Sequence, residues 1–136
     1  MKVSAKTEYA CLALLELATQ FETEQPLRIK DIAQRHDIPS RFLVQILLQL
    51  KNAGLVASTR GAAGGYRLLK APEEVLLAEV ISVVEGPRQP EASASSPTAF
   101  SHALYSVWQE VTELEQEVLS WITLADLLER AAGSSE

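Results

Sequence analysis

Arg41 and Gln45 stand four residues apart in the segment Ser40 to Asn52, whose apolar residues recur at helical spacing, so both side chains leave one side of a helix. A guanidinium can donate two parallel hydrogen bonds to the acceptors of a guanine edge, and a carboxamide can both donate to and accept from adenine. Ser40 brings a hydroxyl to the start of that helix, while Val44 and Leu48 offer only apolar contact, such as a thymine methyl accepts. A second group follows in Arg60-Gly61-Ala62-Ala63-Gly64-Gly65, with Arg67 just beyond. Gly61, Gly64 and Gly65 permit backbone turns that other residues resist, and small side chains let Arg60 approach a groove closely. The chemistry on offer is recognition of a duplex rather than bond making.

Other chemistries find less support. The glycine-rich tip lies between two β-prone runs and lacks a Gly-Lys-Ser/Thr sequence, which excludes a nucleotide-phosphate loop. No Ser-His-acid set stands out, and the one cysteine, Cys11, falls in an apolar stripe, so no enzyme is expected. No His/Cys pair has the spacing of metal ligands.

The elements that position these residues read as follows. A helix runs from Val3 to about Thr19, with Val3, Tyr9, Leu12, Ala13 and Leu17 facing inward. After a loop from Phe21 to Pro26, Arg28 to Arg35 forms a short helix with Ile29, Ile32 and Ala33 on one face. Pro39 disfavours helical geometry at Ile38 and makes His36 to Pro39 a turn. Ser40 to Asn52 is the third helix, closed by Gly54, with Phe42, Leu43, Ile46, Leu47 and Leu50 as its buried stripe and Arg41, Val44, Gln45, Leu48 and Asn52 opposite. Leu55 to Thr59 and Tyr66 to Leu69 are the strands of a hairpin. Leu76 to Glu85 is a fourth helix, stopped by Gly86-Pro87. Phe100 to Ile122 is a long helix, and the Thr-x-x-Asp form of Thr123 to Asp126 starts a last one ending near Ala131. The fold class is mainly α with a small β-hairpin: a winged helix-turn-helix domain over 1–86, a linker over 87–99 rich in Pro, Ser and Ala, and a C-terminal segment over 100–136 carrying the long helix.

Charge supports that division. Residues 1–72 hold ten Lys/Arg against six acids, a net +4, whereas residues 73–136 hold two against twelve, a net −10, which together give the −6 of the chain. The first half can approach a polyanion and the second is repelled by it. With 47% hydrophobic residues, no apolar run near the roughly 20 residues of a membrane span, no apolar leader after Met1 and a single cysteine, a cytoplasmic protein is expected.

The run Met1-Lys2-Val3-Ser4 with Tyr9-Ala10, the segment Ile38-Pro39 to Gln45-Ile46-Leu47, Ala53-Gly54-Leu55-Val56 and Arg60-Gly61-x-x-Gly64-Gly65-Tyr66 resemble the Rrf-two family of bacterial regulators. The likeness continues through Leu77-Ala78-Glu79-Val80, Val84-Glu85-Gly86, Val107-Trp108 and Ile122 to Leu128, so it covers nearly the whole chain. It implies a winged-helix transcription regulator that binds double-stranded DNA, with Arg41, Gln45 and Arg60 at DNA-contacting positions. Some relatives carry Glu in place of Val44 and a polar residue in place of Leu48, which implies a different base preference here. Cluster-binding relatives hold iron and sulfide with three cysteines before the long helix. This chain has none there, and the serines of residues 88–106 are poor substitutes for thiolates. His102 falls near the last family cysteine and Glu8 at an acidic ligand position. Glu8, Cys11 and His102 could together hold a mononuclear metal, but a solvated acid, a small apolar residue of the first helix and a surface histidine are expected instead. A member without cofactor is expected, answering to a protein or small-molecule effector.

On the long helix, Phe100, Leu104, Val107, Val111, Leu114, Val118 and Trp121 alternate steps of four and three, widened by Tyr105, Trp108, Leu119 and Ile122. Such a seam must be covered, and a second copy is the expected cover. Acids at Glu110, Glu115 and Glu117 disfavour parallel pairing of identical helices. The competing reading is a winged-helix module that binds protein through Val44 and Leu48 and has lost DNA binding; Arg60, Arg67 and Lys70 beside glycine suit DNA better.

Overall fold

Ser4 opens the first helix, its hydroxyl accepting from the Thr7 amide at 3.1 Å. A computed structural model describes residues 2–87, 89–90 and 96–134 and places six helices and one hairpin among them. They are α1 (Ala5–Thr19), α2 (Ile29–His36), α3 (Ser40–Asn52), β1 (Val56–Thr59), β2 (Gly65–Leu68), α4 (Leu77–Glu85), α5 (Ala99–Leu119) and α6 (Leu124–Ser134), with a 3-10 turn at Pro72–Glu74 before α4. This is the winged-helix plan with a long C-terminal helix. Arg88 and residues 91–95, including Ser93 and Ser95 of the expected linker, lie outside the described residues.

One core unites the first three helices, the hairpin and α6. Ala10, Ala13, Leu14 and Leu17 of α1 meet Leu43, Ile46, Leu47 and Leu50 of α3, with Ile32, Val56, Leu68, Val80 and Leu124 in the same cluster. Each fully buried leucine stabilises the fold by roughly 2 kcal/mol through removal of apolar surface from water. Asp37 takes the left-handed conformation that turns α2 into α3, and its amide donates back to the Ala33 carbonyl.

Two expected inward residues point outward. Val3 precedes the first turn of α1 and is exposed. Phe42 is 43% exposed, because at 100° per residue it sits about 90° from the centre of the Leu43, Ile46, Leu47 and Leu50 stripe. The long helix also ends earlier than its periodicity suggests, at Leu119, and α6 runs on to Ser134.

Long-range polar contacts set how the chain closes. The Glu85 carboxylate, at the end of α4, accepts from the Ser4 hydroxyl at 3.1 Å and from the buried Thr7 hydroxyl, tying α4 to the positive end of α1. After α5 the chain turns back. The Leu77 amide donates to the Ile122 carbonyl at 2.9 Å, and the Leu124 amide to that of Val75 at 3.0 Å. Thr123 and Asp126 cap α6 reciprocally, each amide donating to the other's side chain at 3.0 Å. The last helix is thereby folded onto α1, while α5 meets the rest through Leu119, buried against Ala78 and Ile81 of α4.

The hairpin is held in the same manner. Val56 pairs with Leu68, Ala57 with Arg67, Ser58 with Tyr66 and Thr59 with Gly65. Leu27 adds an isolated antiparallel bridge on the far side of β2, exchanging two 2.8 Å backbone hydrogen bonds with Tyr66. A Cβ on Gly65 would lie 2.4 Å from the Leu27 carbonyl oxygen, and one on Gly64 2.1 Å from that of Thr59. Backbone cannot move aside as a flexible side chain can. Gly65→Ala should therefore cost about 1–3 kcal/mol in thermal unfolding followed by circular dichroism. Gly133→Ala, which has open space around its Cβ, should leave the midpoint unchanged or raise it. Equal midpoints for both variants would contradict the close packing assigned to Gly65.

Candidate nucleic-acid interface

The exposed face of α3 carries the side chains that the periodicity assigned to it. Ser40, Arg41, Val44, Gln45, Leu48 and Asn52 are all exposed, while Leu43, Ile46, Leu47 and Leu50 behind them are sealed in the core. Val44 and Leu48 are 48% and 52% exposed, a cost in water that a macromolecular surface would remove. The Arg41 guanidinium lies 5.0 Å from the centre of the Phe42 ring, so the outward turn of Phe42 gives this arginine a cation–π support. Phe42 also joins Ala5, Lys6, Tyr9 and Gln45 around a cleft of about 270 Å³ between the start of α1 and α3. Lys6 and Tyr9 thus stand beside Gln45, a neighbourhood that helical periodicity within α3 alone does not reveal.

The hairpin presents Arg60 and Gly61 at an exposed tip, closed by the Gly64 amide donating to the Gly61 carbonyl at 3.0 Å. Gly64 is buried under the turn, and Arg67, opposite Ala57 in the ladder, is partly buried. Arg28, at the entry to α2, was not among the residues expected here. It lines with Arg60 a cleft of about 480 Å³ between α2 and the wing. Among the described residues, Arg28, Arg41 and Arg60 enter no ion pair. Lys70 differs from the expectation for it: its ammonium sits 3.0 Å from Glu79 and is engaged within the chain.

The candidate metal donors are scattered by contrast. Among the described residues no group of three or more His, Cys, Asp or Glu is arranged to hold a metal ion. Glu8 is exposed on α1 and His102 exposed on α5. Cys11 is half-buried, and its thiol is pushed up to about 11 by burial and by the charges of Glu8 and Glu85, which leaves almost no thiolate near neutral pH.

The comparisons with known proteins agree with this geometry. Residues 3–130 match the Rrf2 family, described as iron-dependent transcriptional regulators. An rrf2-like HTH-type transcriptional regulator of Rhodobacter capsulatus is 40% identical, the match covering 97% of this chain and 94% of the relative. The HTH-type transcriptional regulator CymR of Bacillus subtilis is 35% identical over 100% of this chain and 96% of its own. Among solved structures, IscR of T. potens superposes with a TM-score of 0.81 at 36% identity, covering 100% of this chain and 92% of that one. CymR of B. subtilis, described as a global cysteine regulator, gives 0.81 at 35% identity, over 96% and 98%. No helix among the described residues is long and apolar enough to cross a membrane. The chain therefore belongs to the Rrf2 family, and is a DNA-binding winged-helix transcription regulator rather than an enzyme.

Proposed function

We propose that the protein acts as a homodimer on a pseudo-palindromic operator, without an iron–sulfur cluster, and answers to a protein partner or a small ligand. The observation that carries the reading is the joint presentation of the polar α3 face and the Arg60 tip on one core. In this reading Ser40, Arg41 and Gln45 read base edges, and Val44 and Leu48 meet thymine methyls. Arg60, Gly61 and the partly buried Arg67 form the wing contact, and Gly64, expected to share it, instead shapes the tip from beneath the turn. Residues 1–86 supply the reading unit, and the segment from 100 supplies the subunit contact.

Gln45→Ala should relax specificity, costing ~1–3 kcal/mol on the operator and little on random DNA, with an almost unchanged salt slope. Arg60→Ala should weaken operator binding most where an A·T-rich minor groove flanks the half-site. Fluorescence anisotropy on a selected operator and a scrambled duplex measures both. Wild-type affinity in both variants would show the assigned surface to be wrong. If wild type binds neither duplex at low salt, the interaction-module reading replaces this one.

Support for the dimer comes from α5. Phe100 is 86% exposed, and Leu104, Val107, Val111, Leu114 and Val118 are exposed along the same stripe, while Trp121, expected on the seam, is exposed in the turn after the helix because α5 ends at Leu119. Tyr105 and Trp108 extend it, whereas Leu119 is turned toward α4. A helix of 21 residues is about 30 Å long, so the stripe far exceeds a scatter of surface apolar residues. Val111→Glu should cost several kcal/mol at such a contact unless the helices part. Light scattering after size exclusion should give a dimer for wild type and a monomer or aggregate for the variant. A monomeric wild type at micromolar concentration would refute the dimer.

The family description names iron, and the donor set here does not fit an iron–sulfur cluster. The chain has one cysteine in 136 residues, and it is the poorly ionising Cys11 of α1. Anaerobically purified protein should be colourless, with no stoichiometric iron or sulfide by chemical assay. A brown preparation with both would overturn this part of the reading.

A further inference from the structure

Arg28 occupies the joint between the wing and the helix-turn-helix. The residue before it, Leu27, is the one whose backbone pairs with Tyr66. Arg28 itself is extended, with φ −81° and ψ 146°, and its carbonyl accepts from the amides of Asp31 and Ile32 to begin α2. Its backbone is thus committed on both sides, to the wing and to the helix, while its side chain caps nothing and is exposed. Across the cleft stand Arg60 and the exposed hydroxyl residues Ser58 and Thr59 at the end of β1. No carboxylate lines the cleft, and no ion pair among the described residues engages either arginine. Two guanidinium groups brought to one cleft from different segments give it a positive charge that an anion would complement. Their planar donor forks match the oxygens of a phosphate, and neighbouring hydroxyls can add donors.

We propose that this cleft clamps a phosphodiester group of the operator backbone, with Arg28 as a phosphate-binding residue. The inference rests on the DNA-binding reading above and extends it. Arg60 is shared between cleft and wing tip, so a phosphate held here lies where the wing meets the duplex. Because Arg28 is rigidly joined to both α2 and β2, a phosphate held there fixes the register of the duplex against the wing and the recognition helix together. It acts on register without reading sequence.

The test is fluorescence anisotropy with Arg28→Ala and Arg28→Lys on the selected operator and on the scrambled duplex, at several salt concentrations. Arg28→Ala should weaken both duplexes by the same factor and flatten the salt slope by about 0.9, so that the wild-type advantage shrinks roughly threefold between 50 and 200 mM salt. Arg28→Lys keeps the charge and should restore most of the slope. Replacing single operator phosphates by neutral methylphosphonates should reveal one linkage whose neutralisation weakens wild type but not Arg28→Ala. Circular dichroism and thermal unfolding should show both variants folded as wild type. An unchanged slope in Arg28→Ala, a loss confined to the operator, or no linkage coupled to Arg28 would overturn the clamp. If Gln45→Ala still lowers specificity in that case, the clamp alone has failed. If wild type binds neither duplex, the DNA-binding reading has failed with it.

Discussion

Two backbone hydrogen bonds between Leu27 and Tyr66, each 2.8 Å long, hold the wing to the helix-turn-helix, and they exist because Gly65 has no side chain. A hairpin of two four-residue strands is marginal by itself in water. The bridge at Leu27, with Val56 and Leu68 buried in the common core, makes the wing part of the body that also carries α3. In the proposed reading the exposed α3 face and the arginine-bearing tip meet a duplex as one surface. Preorganisation of this sort lowers the ordering cost of binding, since the wing has not to be placed anew at each encounter.

The opposite side of the molecule is governed by chain closure. Glu85 clasps the start of α1, and the Thr123–Asp126 box sends α6 back over the same helix. Those contacts cover the inner faces of α4 and α6 and leave the apolar stripe of α5 exposed among the described residues. A large exposed apolar stripe is costly in water at roughly 25 cal/mol per Å². In the proposed dimer a second copy of the long helix would cover that stripe.

Charge is distributed according to the same division. Some of the basic residues in the first half are engaged within the subunit: Arg35 and His36 meet Glu16 at 2.8 and 2.9 Å, stapling α2 to α1, and Lys70 meets Glu79. Others, notably Arg28, Arg41 and Arg60, enter no ion pair among the described residues, and in the proposed reading they face the polyanion. A net charge of −6 is thus compatible with DNA binding, because the acids are concentrated beyond residue 72.

Local rules carried much of the fold. Helical periodicity located α3 to its terminal residues, Pro39 marked the turn before it, and the Thr-x-x-Asp pattern marked the start of α6. These succeed because helix phase, proline sterics and capping depend on neighbours within one or two turns. The exposed face of α3 was legible for the same reason. Phe42 was not, since a residue about 90° from the stripe goes inward or outward according to what packs beside it, and here its ring faces the α1 cleft and Arg41. Leu119 turned to α4 in place of the seam, and Lys70 was paired with Glu79, because partners distant along the chain were available. Arg28 gave no signal in its own neighbourhood. Its place follows from Gly65 passing against Leu27, a contact across nearly forty residues. The sequence by itself determined the elements and the face that α3 turns outward, through interactions within a turn or two of helix. Tertiary structure alone decided which arginines share a cleft, which lysine is engaged and which apolar stripe is left uncovered, because those depend on backbone pairings and packing between segments far apart in the chain.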